Sequence, residues 1–326
     1  MNANTRNAVL RSMEPAGSAQ AVCPLCRGDQ HLVHESASAD DLCRLYEQQL
    51  GLDVKALFSG VDSLTFMECL ACGLGHYNPP LTGDAQFYDS IQNEPWYYLR
   101  TKYEYEFVSS LITSAESVLD VGSGEGAFSR HLPHVTAYTG LDMSPEAISK
   151  AQGNGIRVVN EAVEKHAESC AGRYDTVVSF QSLEHVSDPR SFITAAAQCV
   201  APTGKLVVAV PSEDSFLHFA SNSPLNMPPH HVTRWSDRAL HGVARVTGMR
   251  LSLLHHEPLQ DIHRDWAMTV LARTMFGFGK KQIEGRGGIQ DRIRARAASL
   301  VARQLRSRLP REFQPNGHTV IAVYTR

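Results

Sequence analysis

The chain has 326 residues, 43% of them hydrophobic, enough for a sizeable core and for more than one structural unit. A formal net charge of −3 and a pI near 6.6 exclude the uniformly polycationic surface of a protein that coats nucleic acid. No apolar run approaches the ~18 residues of a membrane span, and "MNANTRNAVLRSMEPAGSAQ" lacks the apolar centre of a secretion signal, so a cytoplasmic protein is expected.

Residues 1–20 are polar and small, without periodicity, and read as a disordered lead-in. Structure is expected from Cys23. In a reducing compartment "CPLC" (Cys23, Cys26) and "CLAC" followed by glycine (Cys69, Cys72) serve as metal ligands more readily than as disulfides. Each pair presents two thiolates, and the four together suit a tetrahedral zinc site within a lobe over residues 21–80. The 42 residues between the pairs exceed the usual spacing, and "ASADDLCRLYEQQLGLDVKALF" in the gap reads as one or two inserted helices. Cys43, Cys170 and Cys199 stand alone and read as small core residues.

Asn78, Pro79 and Pro80 then break the chain, and residues 81–116 read as a connector and an aromatic helical lid carrying Tyr88, Trp96, Tyr97, Tyr98 and Tyr103. From Ser117 the pattern is regular. "SVLDV" is a strand, "GAFSRHL" a helix, "AYTGLDM" a strand, and "SPEAISKAQGN" a helix capped by Ser144 with Pro145 in its first turn. "IRVV" and "YDTVVSF" are strands, "DPRSFITAAAQCV" a helix, and "GKLVVAV" a strand ending at Pro211. "DRALHGVARVTGM" (helix), "RLSLLHHE" (strand) and "HTVIAVYTR" (strand) follow, and the alternation predicts a doubly wound α/β sheet over 117–326.

Gly122, Gly124 and Gly126 follow the first of these strands directly, as in a cofactor cradle where a ligand approaches bare backbone. Asp142 closes the second strand 20 residues after Gly122, where an acid can accept both hydroxyls of an adenosine ribose. The loop fits both a dinucleotide fingerprint and a G-x-G-x-G loop. Glu125 inside it repels a pyrophosphate but not the sulfonium and ammonium of S-adenosylmethionine, which favours the methyl donor.

From Val118 to Pro211, and again at the terminal strand, the chain resembles the class I S-adenosylmethionine-dependent methyltransferases. "VLDVGSGEG", "LDMSPEAI", "YDTVVSFQSLEHVSDP" and "APTGKLVVAVP" carry the likeness, in order. It implies a Rossmann-like methyltransferase sheet with an antiparallel last strand, and cofactor contacts from Asp120, Gly122, Ser123 and Gly124 (methionine side), Asp142 and Met143 (ribose) and Glu161 and Ala162 (adenine). Asn160 and Glu161 replace the usual Gly-Asp, and Thr203 the first glycine of a Pro-Gly-Gly turn. The N-terminal "CPLC … CLACGLGHYNPP … FYDS … YY" is similar to the zinc lobe of bacterial sugar and secondary-metabolite methyltransferases, where that lobe builds part of the acceptor pocket.

Methyl transfer needs close positioning and removal of the acceptor's proton. Candidates for the base are His230 and His231 in "NMPPHHVTRWS" and His185 in "LEHV", with Tyr98 as a further alternative; Glu184 reads as structural or cofactor-adjacent, and His255 and His256 as surface near the sheet's edge. Residues 280–311 carry ten Lys or Arg against two acids, a local +8 that leaves −11 elsewhere, and read as a basic amphipathic helix with Ile289, Ile293, Leu300, Val301, Leu305 and Leu309 on its apolar side. Such a segment suits a phosphate-bearing acceptor, a nucleotide-sugar, RNA or an anionic membrane surface, or else a solvated helix flanking a lid or a homodimer contact. The expected activity is methylation of a sugar or natural-product intermediate, on oxygen in preference to carbon or nitrogen. A zinc-ribbon methyltransferase for ribosomal RNA is the alternative enzyme, against which the acidic remainder argues; a non-catalytic S-adenosylmethionine-binding scaffold is the alternative outside enzymes.

Overall fold

A computed structural model describes residues 21–92, 101–132, 137–279, 281, 283, 288–308 and 316–326. The N-terminal unit is built on three antiparallel strands, β1 (His31–Ser38), β2 (Ser63–Cys69) and β3 (Gly75–Asn78), with His31 opposite Cys69 and Glu68 opposite Gly75. The insertion between β1 and β2 is the helix Ala39–Leu50 followed by a short 3-10 turn, Lys55–Phe58. Ser38 starts the helix by accepting a hydrogen bond from the Asp41 amide, and Gly51 ends it in the left-handed conformation. Leu42, Tyr46, Leu64, Phe66, Tyr77, Phe87 and Ile91 form the core beneath this sheet.

The larger sheet begins with β4 (Ser117–Val121), β5 (Ala137–Asp142), β6 (Val158–Asn160), β7 (Tyr174–Phe180) and β8 (Val200–Pro211), all parallel. A two-residue strand, β9 (Thr233–Arg234), leaves this unit and pairs with β3, Arg234 opposite Gly75, completing the small sheet. Then β10 (Arg250–Pro258) and β11 (Asn316–Thr325) return as antiparallel strands, giving the order β10-β11-β8-β7-β4-β5-β6. Strand β8 is buried from Leu206 to Pro211, as a central strand covered on both faces must be. Strand order reverses between β4 and its neighbours β5 and β7, so the crevice at their carboxyl ends is the natural ligand position of such a sheet.

Some expected elements differ. "GAFSRHL" is a 3-10 turn, Ala127–His131, because the backbone enters it through three left-handed glycines and never settles into an α-helical turn. Helices Val163–Cys170 and Asp261–Met275, and β1 to β3, were not legible in the sequence pattern. Of the basic segment, the described helix Ile289–Arg308 buries Ala298 and Ala302 while Ile289, Ile293 and Leu300 are exposed. Its inner side combines these alanines with half-buried Val301 and Leu305, the latter packed against the core around Met268, so part of the expected apolar stripe faces inward; Leu309 lies outside the described residues. Cys43 and Cys199 are core residues, whereas Cys170 is only half-buried at a helix end. No helix among the described residues is long and apolar enough to cross a membrane.

Candidate active site

The glycine loop after β4 is tied to β5, the Gly122 and Ser123 amides both donating to the Leu141 carbonyl at 2.9 and 3.0 Å. Gly122 has φ +75°, and a Cβ there would stand 2.2 Å from Ser182 Oγ, so the loops after β4 and β7 meet at a position only glycine can fill. Asp142 organises the same turn: one carboxylate oxygen accepts the Gly124 amide at 2.7 Å and the other the Ser144 amide at 2.8 Å. Each oxygen retains a second lone pair. Met143 beside it is 66% exposed. Glu161 is held by His166 Nδ1 at 2.7 Å, and Ala162 is exposed at the head of helix Val163–Cys170. Glu125, expected to present its charge within the loop, pairs instead with Lys150 at 3.3 Å. Its bearing on the choice of cofactor is correspondingly reduced.

Asp120 ends inside the sheet, buried, with one oxygen accepting the Tyr138 hydroxyl at 2.7 Å and the other meeting no donor. Burial pushes its carboxyl up to about 7, the charge of Asp142 adding to the effect and the Tyr138 hydrogen bond opposing it. A buried carboxylate oxygen without a donor, beside backbone that a side chain would block, has the chemistry to receive a cationic group.

Across the crevice the structure brings together His185, His230 and His231, one imidazole nitrogen of each lying within 4.8 Å of the others. Their Nδ1 atoms are engaged: His185 donates to the His230 carbonyl at 2.7 Å, His230 to the Leu225 carbonyl at 2.8 Å, and His231 faces Asn226 Oδ1 at 3.4 Å. Glu184 is 1% exposed, and its Oε1 stands 3.9 Å from Nε2 of both His185 and His231. Neither Glu184 oxygen meets a hydrogen-bond donor from another residue. Burial lowers His185 to about 4, lowers His230 and His231 well below the ordinary histidine value, and raises Glu184 to about 8. The three rings are therefore neutral near pH 7. His230 and His231, expected as the base, are both buried within this cluster.

A family model described as a methyltransferase domain matches residues 96–254. The ubiquinone biosynthesis O-methyltransferase of Erwinia tasmaniensis is 32% identical over 157 residues, 45% of this chain and 63% of that protein, so the match spans less than two thirds of that relative. The protein of the same name from Shigella boydii serotype 18 is 32% identical over 167 residues, 44% of this chain and 68% of that protein. The chain belongs to the methyltransferase family. A crystal structure of a SAM-dependent methyltransferase from Archaeoglobus fulgidus is similar at 12% identity and a TM-score of 0.46, over 74% of this chain and 98% of that one.

In this methyltransferase the N-terminal lobe grips the histidine loop. The Tyr46 hydroxyl accepts the His230 amide at 3.3 Å, the Gly83 amide donates to the Pro229 carbonyl at 2.8 Å, and β9 begins two residues after His231. The Tyr88 ring packs edge-on against His185, with centroids 5.8 Å apart. Of the other aromatic residues expected in a lid, Trp96, Tyr97 and Tyr98 lie outside the described residues, and Tyr103 hydrogen-bonds His255 at 2.8 Å. His255 stacks on Phe107 and His256 pairs with Asp237 at 2.9 Å, so neither is a free surface residue.

Two buried acids behind the cluster escaped notice in the sequence. Glu104 accepts a bond from Gln181, and Glu257 accepts the Thr319 amide at 3.0 Å. No motif flags them. The four cysteines do converge, Cys23 Sγ lying 3.6 Å from Cys72 Sγ and Cys26 Sγ 3.5 Å from Cys69 Sγ. A tetrahedron with metal–sulfur bonds of ~2.3 Å has sulfur edges of about 3.8 Å, so the set matches a zinc tetrahedron closely. The two knuckles are equivalent: the Arg27 amide returns to the Cys23 carbonyl and the Gly73 amide to the Cys69 carbonyl, Arg27 and Gly73 both having positive φ.

Proposed function

We propose that the protein transfers a methyl group from S-adenosylmethionine to an oxygen of a small-molecule acceptor, a sugar or natural-product intermediate. The observation that carries this reading is the Asp120–Gly122–Asp142 cradle, whose Gly122 meets Ser182, two residues before Glu184 of the buried Glu184–His185–His230–His231 cluster. The related ubiquinone biosynthesis enzymes, O-methyltransferases by name, support oxygen as the accepting atom. When bound, the cofactor supplies an electrophilic methyl carbon. Asp120 holds the ammonium end through its unpartnered oxygen, the backbone at Gly122 and Gly124 lies against the methionine moiety, and Asp142 accepts the ribose hydroxyls beside Met143. Glu161 and Ala162 border the adenine. The acceptor hydroxyl is oriented at the histidine cluster and yields its proton there as oxygen forms a bond to the methyl carbon and the sulfur–carbon pair returns to sulfur.

Replacing Asp142 with Ala removes an acceptor that serves both the loop and the ribose, and the expected loss of cofactor affinity is about 1.5–3 kcal/mol. Titration calorimetry checks it; unchanged affinity refutes the ribose assignment. The same calorimeter tests Asp120. Its carboxyl is raised to about 7 in the free protein, and a bound ammonium favours the ionised form, so affinity rises with pH through neutrality and binding releases a proton. Below pH 6 affinity falls as Asp120 is protonated. Heats measured in buffers of different ionisation enthalpy report the proton directly, and an Asp120→Asn variant should lose that dependence.

The second part of the proposal is structural zinc at Cys23, Cys26, Cys69 and Cys72. Closed thiolate sets of this kind stabilise folding and take no part in the reaction.

A further inference from the structure

We propose that His185, His230 and His231, with Glu184, form a second metal site, one that takes a divalent transition-metal ion of the zinc or iron class. The inference rests on the proposed acceptor side of the active site and gives that side a Lewis acid.

Three imidazoles from two separate loops converge on one point, with one nitrogen of each within 4.8 Å of the others. The partners of the Nδ1 atoms decide which nitrogens face that point. His185 and His230 donate Nδ1–H to backbone carbonyls and His231 faces an amide oxygen, which leaves the Nε2 lone pairs for the centre. Metal-bound histidine nearly always donates its other ring N–H to an oxygen in this way, fixing tautomer and ring orientation. The ring planes cannot turn away easily. His185 stands edge-on to both other rings, at centroid separations of 4.5 and 4.9 Å, while His230 and His231 stack at 4.5 Å.

Glu184 supplies the charge. A carboxylate at 1% exposure whose oxygens meet no donor from another residue is costly unless something cationic neutralises it. Oε1 is equidistant, at 3.9 Å, from Nε2 of His185 and of His231, as a ligand sharing an ion with both would be. Donors bound to a common ion at ~2.0–2.2 Å stand closer than this, so the pocket tightens on loading. Two cations lie nearby. Arg234 is already faced by Glu213 at 3.8 Å, and Lys102 is balanced by Asp120 as well as Glu184. The donor set is nitrogen-rich with a single carboxylate, which suits borderline transition metals better than magnesium or calcium. It differs in kind from the four-thiolate set of the lobe, and that difference allows the two to be read separately.

A metal held here would bind the acceptor oxygen and lower the pKa of its hydroxyl. The proton would pass to solvent as the oxygen bonds to the methyl carbon and the sulfur–carbon electron pair returns to sulfur.

The test uses cobalt(II) alone on the full-length protein with its cysteine site already loaded with zinc. The expected result is one further cobalt per chain, with visible d–d bands and no sulfur-to-metal charge transfer. His231→Ala should weaken that binding by more than about 100-fold and Glu184→Gln by about 10-fold, with the cofactor-binding heat unchanged. If His231→Ala misfolds by circular dichroism, His185→Gln replaces it. Absent bands in the wild type, bands undiminished in the histidine variants, or cobalt found only with thiolate charge transfer would each overturn the site. Cofactor binding without cobalt binding would reject the metal and leave the methyl-transfer reading standing, whereas loss of cofactor binding in the wild type would reject that reading itself.

Discussion

Replacing Cys69 with Ser is expected to unfold the N-terminal lobe and abolish methyl transfer while leaving the large sheet folded. A structural zinc contributes on the order of 10–16 kcal/mol to the folding of a small metallo-domain, comparable to or greater than the entire stability of ~5–15 kcal/mol typical of a domain. The register of the small sheet is coupled to the cysteine knuckles, since Cys69 is both a member of the proposed zinc set and the last residue of β2, opposite His31. Loss of the lobe frees β9 and removes the Tyr46 contact to His230, so the histidine loop loses its support from that side. The cofactor cradle, built on β4 and β5, stays. The predicted signature is therefore loss of the zinc bound by thiolates, protease sensitivity confined to residues 21–92, retained cofactor binding and lost turnover. Elemental analysis with limited proteolysis measures it, and a Cys69→Ser protein with full zinc and unchanged protection would exclude the assignment.

Replacing Gly122 with Val is expected to weaken cofactor binding by about 100-fold or more. The left-handed φ of +75° costs a β-branched residue about 1–3 kcal/mol, and the new Cβ would meet Ser182 Oγ at 2.2 Å. Relief requires moving the loop after β7, two residues from Glu184, so turnover should fall further than affinity does. Gly153→Ala is the control. That glycine lies in the helix Pro145–Gly153 with no atom within 4 Å of a built Cβ, and the change should be neutral or slightly stabilising. Equal losses in the two variants would mean that the loop is not a cradle.

Strands β4, β7, β8 and β11 could be read from the chain because each carries a run of Val, Ile or Leu that burial on both faces demands. "HLVHESAS" could not: β1 buries only Ala37, and its strand character comes from pairing with β2. Two-residue β9 carries no periodicity at all. The site shows the same division. Gly122, Asp142 and the cysteine pairs have local spacings that encode their chemistry, whereas the isolation of Glu184 depends on a loop 46 residues further along and on a ring, Tyr88, from another unit. His230 and His231 stood out as residue types. The surroundings of their Nδ1 atoms could not be read from the sequence, because they depend on the positions of the Leu225 carbonyl and the Asn226 side chain.

The two-residue strand β9 also bears on how the chain comes off the ribosome. Until Thr233 and Arg234 are synthesised, the outer edge of β3 has no neighbour, and the contact that closes it, from Arg234 to Tyr77, spans 157 residues. An N-terminal unit translated first is therefore among the last to be finished, and its open edge is exposed while the whole parallel sheet core is being made. The cysteine knuckles are complete by residue 73, so zinc bound at the proposed site would give the nascent lobe a way to hold its shape through that interval.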